Sequence, residues 1–106
     1  MRVWLDDIRP MPEGFDVHVK TFDEAKKLLL AGKVTKMSFD HDLGGEKNPL
    51  GSPPGKSGYA LAQWVEEAAY FGKLPKFEWE VHSMNPAGGQ MIKRALMNAD
   101  KYWAGC

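Results

Sequence analysis

Apolar positions along the chain come in two arrangements: short runs that are continuous or alternate with polar residues, and stripes at the three- and four-residue spacing of a helix. "MRVWL" reads as a first strand ending at Asp6 and Asp7. "IRPMPEGF", with two prolines and a glycine, is a loop, and "DVHVK" is a short β-branched second strand. "TFDEAKKLLLAGK" predicts a helix. Thr21 with Glu24 three positions on makes a capping box, Ala25, Leu28 and Leu29 form the apolar face, and Gly32 is the stop. "VTKMSF" is a third strand running into Asp40. "GGEKNPLGSPPGKSG" follows as a long loop, a form often used as a functional lid. Ser57 can cap the next helix, whose buried face is Leu61, Trp64, Val65, Ala68 and Phe71, with Gly72 and Pro75 ending it. "KFEWEVHS" alternates, Phe77, Trp79 and Val81 against Glu78 and Glu80, as a strand with one wetter face at or near a sheet edge. Asn85 as N-cap and Pro86 at the first helical position open the last helix, with Ile92, Ala95, Leu96 and Ala99 as its stripe before Tyr102 and Trp103. The aromatic residues Trp4, Trp64, Trp79, Tyr70 and Phe77 read as core.

The order β, β, α, β, α, β, α predicts an α/β fold with a mostly parallel sheet. Ligands of such sheets bind at the carboxyl ends of the strands, and there the sequence concentrates its ionisable residues. The first strand ends in Asp6-Asp7 followed by Arg9, the third in Asp40-His41-Asp42, and the fourth in His82-Ser83 followed by Asn85. If these strands are neighbours, up to four carboxylates and two imidazoles share a small volume. Carboxylates so placed either take up protons or are neutralised by a cation. Each aspartate taken singly can also serve simply as a turn or helix cap, and Asp42, before "LGG", fits that role best.

His41 lies between two acids, which favour its imidazolium form and suit it to act as an acid or a phosphate-binding cation. His82 closes an apolar strand, and His18, in the short second strand, is given no role. Arg9 can hold a phosphate bidentately. "NPAGGQ" opens the last helix, where free N–H groups favour an anion. Gly88 and Gly89 there allow close approach, although each costs a helix roughly 1 kcal/mol. "LGSPPGKSG" mimics a phosphate-binding P-loop but fails its spacing: the required glycine would stand at position 50, which is Leu50, and Gly51 leaves one residue too few. Lys56 in this loop can still reach a ligand.

Bulk properties narrow the function further. A chain of 106 residues, 43% of them hydrophobic, predicts one domain over residues 1–106 with a single core. No apolar run approaches the ~20 residues of a membrane span. The N-terminus lacks a signal-peptide layout, and the one cysteine, Cys106, has no disulfide partner, so a reducing, cytoplasmic setting is expected. Fourteen basic residues balance fourteen acidic ones, which argues against long duplex nucleic acid as a partner and leaves room for a small anion.

"LDD-IRPMP", "SFDHDLG" and "VHSMNP" together resemble the three motifs of the cyclic-phosphate processing receiver domains and, more distantly, those of response-regulator receivers. The resemblance spans nearly the whole chain. It implies a flavodoxin- or receiver-like three-layer sandwich with about four to five strands, shortened relative to a receiver, and processing or sensing of cyclic phosphates on nucleotides or RNA ends. Two departures from a receiver stand out: "IRPMPEGF" replaces the helix between the first two strands, and "VHSMNP" has no lysine where a receiver positions its phosphoryl group. Asp40 matches the phosphoacceptor position.

The expected activity is metal-dependent hydrolysis of a cyclic phosphate on a nucleotide or RNA end. Asp6, Asp7 and Asp40 hold a divalent metal, Mg²⁺ or Mn²⁺. His41 or His82 protonates the leaving oxygen, and Arg9, Ser83, Asn85, Gly88, Gly89 and Lys56 contact the phosphate. Two other readings use the same pocket: a module that binds or sequesters the nucleotide without cleaving it, and a divergent receiver phosphorylated on Asp40.

Overall fold

The computed structural model describes residues 1–6, 9–40, 58–82 and 86–105. Its elements are β1 (Arg2–Leu5), β2 (Val17–Val19), α1 (Phe22–Leu30), β3 (Lys36–Phe39), α2 (Gly58–Tyr70), β4 (Glu78–Val81) and α3 (Pro86–Trp103), in the order the sequence predicts. The four strands are all parallel and lie in the order β2-β1-β3-β4. This is a shortened receiver-like α/β fold. The shortening falls at the β1–β2 connection, which has no helix among its described residues.

Alternation along the strands divides the sheet into two chemically different faces. Val3 and Leu5, Val19, and Met37 and Phe39 point to one side, where they share a single buried core with Ala25 and Leu29 of α1, Leu61 and Val65 of α2, and Ile92, Leu96 and Ala99 of α3. The crossovers β2-α1-β3 and β3-α2-β4 advance across the sheet in the same direction, and connections of this kind share one hand, which agrees with both helices lying on that side. Helix α3 joins them, tied to β4 by the Trp79 indole N–H, which donates to Asp100 Oδ2 at 3.0 Å. The other face carries Trp4 and Asp6, Ser38 and Asp40, and Glu80 and His82. Among the described residues no helix covers it. Phe15 of the β1–β2 connection packs edge-on against Trp4 instead, with ring centroids 5.2 Å apart.

The predicted helix boundaries follow from local chemistry. Thr21 Oγ1 accepts from the Glu24 N–H at 3.2 Å, and its hydroxyl donates to Glu24 Oε1 at 3.1 Å. Helix α2 ends as a Schellman turn: Gly72 (φ +69°) donates to Ala69 O, and Lys73 to Ala68 O. The expected caps Ser57 and Asn85 lie outside the described residues, as does the loop through position 57. Two apolar assignments are corrected. Phe71 falls beyond the end of α2 and is exposed, and Tyr70 sits on the outer side of the helix's last turn, 64% exposed and edge-on to Tyr102. Strand β4 lies at the sheet edge with Glu78 and Glu80 outward, as its alternation predicts.

Candidate functional site

Register brings the site together. The last paired row across β1, β3 and β4 is Leu5, Phe39, Val81. Backbone bonds carry the ladder one residue further: the Asp6 N–H donates to Val19 O (3.1 Å), Asp40 to Leu5 O (3.1 Å) and His82 to Phe39 O (3.0 Å). Asp6, Asp40 and His82 therefore form the next row, side by side on the face away from α1, α2 and α3.

Asp6 is 1% exposed and Asp40 8%, and the His82 side chain is 13% exposed. One donor atom from each of the three lies within 4.8 Å of the other two. Adjacent oxygens around a six-coordinate Mg²⁺ or Mn²⁺ are about 3 Å apart and opposite ones about 4 Å, from bond lengths near 2.1 Å, so a small inward shift lets one ion touch all three. Two carboxylates and an imidazole form a donor set suited to Mn²⁺ and compatible with Mg²⁺. Such a cation would offset the cost of two buried carboxylates placed side by side. The residues fit a divalent cation.

His82 is held at both ring nitrogens and on one ring face. Its Nε2 lies 3.0 Å from Asp6 Oδ2, its Nδ1 2.6 Å from Ser38 Oγ, and its ring stacks on the Trp4 indole, centroids 3.8 Å apart and planes 10° from parallel. A carboxylate only accepts, so Nε2 carries the proton toward Asp6, and neutral His82 then accepts the Ser38 hydroxyl proton at Nδ1. Burial pulls the His82 pKa below the ordinary imidazole value of 6.5. The hydrogen bond and charge of Asp6 oppose this, Arg9 adds to it, and Glu80 opposes it.

Arg9 closes the arrangement. Its N–H donates to Asp6 Oδ1 at 2.9 Å, its Nη1 donates to the His82 carbonyl at 2.7 Å, and its own carbonyl accepts the Trp4 indole N–H at 3.3 Å. The short β1–β2 connection thus binds both ends of the row, with most guanidinium N–H groups left over from the His82 bond. His18 donates from Nε2 to the Asp6 carbonyl at 2.7 Å.

Of the sequence-predicted residues, the fold brings Asp6, Asp40, His82 and Arg9 together. Gly88 and Gly89 are buried in the first turn of α3, which starts four residues after His82. Asp7, His41, Asp42, Lys56, Ser83 and Asn85 lie outside the described residues. The sequence reading missed three members: Trp4, assigned to the core; Ser38, passed over; and His18, given no role. Trp4 and Ser38 each stand two residues before a site aspartate, and the strand period of two puts them on the same face. Trp4 is buried, though on the site face and not among the helices.

Among the described residues no helix is long and apolar enough to cross a membrane. The family model for the cyclic-phosphate processing Receiver domain matches residues 1–98. No curated protein and no solved structure matches the chain.

Proposed function

The chain belongs to the cyclic-phosphate processing receiver domain family, and on that premise we propose that it hydrolyses a cyclic phosphate on a nucleotide or RNA end with the help of a divalent cation held by Asp6, Asp40 and His82. The observation that carries this reading is the single row of two buried carboxylates and one imidazole at the carboxyl edge of a parallel sheet. The cation would lower the pKa of a bound water and draw charge from the phosphate. Asp7 follows Asp6 directly in the chain and belongs to the same proposal.

The chain's own groups divide the remaining work. Arg9, anchored by Nη1 on the His82 carbonyl, keeps its other guanidinium N–H groups for phosphate oxygens. Gly88 and Gly89 at the start of α3 allow a phosphate to approach the helix N–H groups, with Ser83, Asn85 and Lys56 as further contacts. Both nitrogens of His82 are engaged, with Ser38 and Asp6, which suits it to ligation more than to protonating a leaving group. His41, directly after Asp40 and between two acids, takes the acid role.

The test is incubation with 2′,3′-cyclic nucleotides and cyclic dinucleotides plus Mn²⁺. Turnover that Asp40→Asn abolishes is the expected result. Tight binding with the ligand recovered intact would identify a binding module, and no turnover by either protein would sink the hydrolase reading.

A further inference from the structure

Ser38 sits in β3 between the two strands that carry Trp4 and His82, fully buried, with Oγ 2.6 Å from His82 Nδ1. The ring it touches is held at two further points: the indole of Trp4 lies flat against it at 3.8 Å, and Asp6 Oδ2 holds Nε2 at 3.0 Å. The orientation of the imidazole is fixed, and its proton is the one variable left.

A neutral imidazole has one N–H. Without a cation that proton belongs on Nε2, because the Asp6 carboxylate can only accept, and the Ser38 hydroxyl then donates to Nδ1. A cation between Asp6, Asp40 and His82 needs the Nε2 lone pair, so the proton must stand on Nδ1, where Ser38 Oγ accepts it. A hydroxyl serves both arrangements, since its donor rotates and it keeps two lone pairs. Alanine would serve neither, and would leave a buried ring nitrogen without a partner.

We propose that Ser38 is a positioning residue that supports both tautomers of His82, so that cation uptake moves the ring proton from Nε2 to Nδ1. The inference rests on the reading of Asp6, Asp40 and His82 as a cation site. The proton balance is closed: Nε2 loses a proton, Nδ1 gains one, and the Ser38 hydroxyl turns its own proton away from the ring. Partners of metal-bound imidazoles set ligand tautomer and orientation in this way, and their loss costs about 10–100-fold in metal affinity.

The experiment uses ¹⁵N-labelled full-length protein, Mg²⁺ as a diamagnetic probe for imidazole ¹⁵N spectra, and Mn²⁺ for calorimetric affinity. The wild type is expected to show His82 protonated at Nε2 without Mg²⁺ and at Nδ1 at saturation. Ser38→Ala is expected to bind Mn²⁺ about 10–100-fold more weakly, and Ser38→Thr, which restores the hydroxyl, to recover most of that loss. Wild-type Mn²⁺ affinity in Ser38→Ala, or a His82 that keeps its Nε2 proton at Mg²⁺ saturation, would overturn the proposal and leave the cation site standing. A wild type that takes up neither ion would overturn both. The tautomer measurement needs no variant, so a poorly folding Ser38→Ala cannot shield the idea.

Discussion

Trp4 and His82 stack face to face, with ring centroids 3.8 Å apart and planes 10° from parallel, although β3 runs between their strands. Two strand spacings amount to about 9.6 Å, so both rings lean inward to meet, and the small side chain beneath them is Ser38. The indole is thereby a wall of the site that also fixes its histidine. Removing it takes away buried aromatic surface and the plane against which His82 rests. Trp4→Ala is expected to cost about 3–5 kcal/mol of stability, read by urea unfolding. Trp4→Phe, which keeps a ring, should cost less and should retain Mn²⁺ binding better than Trp4→Ala. Equal loss of binding in the two variants would show that stacking is not what holds His82.

Asp40 tests the row itself. As a proposed direct ligand, its loss should exceed the effect of losing an outer partner. Asp40→Asn is expected to weaken Mn²⁺ binding by at least about 100-fold, beyond the range seen for such partners. Thermal unfolding provides the check. At a cation concentration 100 times its Kd, the folded state gains about 2.7 kcal/mol, which raises the Tm of a domain this size by roughly 10–20 °C. The wild type should show that rise on Mn²⁺ addition, and Asp40→Asn should not. A matching rise in both proteins would place the cation elsewhere.

Much of this arrangement can be read from the chain, and the reasons for the rest are physical. Asp6, Asp40 and His82 were legible because each follows a strand with a clear apolar pattern, continuous in the first and third and alternating in the fourth, and parallel neighbours must bring those ends to one edge. Trp4 is buried, as a core reading expects, but an apolar ring in a strand looks the same whichever face it occupies. Only the strand register, which sets Trp4 on the same face as Asp6, Ser38 and Asp40, reveals that its ring faces the site. Ser38 gave no signal as a residue type, since its importance lies in what crosses above it. Phe71 was assigned to α2 by spacing alone, yet Gly72 adopts φ +69°, and the Schellman turn it permits ends the helix before that aromatic can turn inward.

The opposite side of the sheet offers a control for stability without chemistry. Trp79 donates its indole N–H to Asp100 Oδ2 at 3.0 Å, joining β4 to α3 on the helical side. Asp100→Ala removes a charged acceptor from a partly buried donor and is expected to cost about 1–2 kcal/mol, measured by urea unfolding. Its Mn²⁺ affinity should match that of the wild type. A large loss of affinity would mean that the row depends on how tightly α3 holds β4.

The direction of the His82 shift fixes how stability should vary with pH. Burial lowers its pKa below 6.5 in the folded protein against the opposing pull of Asp6 and Glu80, and Arg9 acts with burial. The unfolded chain binds this proton near the ordinary imidazole value. Above pH 6.5 neither state holds it, and its contribution to stability is complete. As pH falls from 6.5 toward the lower folded value, the unfolded state takes up the proton first, and stability declines. Below the folded value both states are protonated and the decline stops. Carboxylates as a class also take up protons in acid, so the informative quantity is a difference: the urea midpoint of the wild type minus that of His82→Gln, measured without cation from pH 8 to pH 5. That difference should be constant above about pH 7 and shift against the wild type as the pH drops below 6.5. A difference that moves in favour of the wild type on acidification would mean that Asp6, and not burial, dominates at His82, and would reverse the assignment of a neutral imidazole at pH 7.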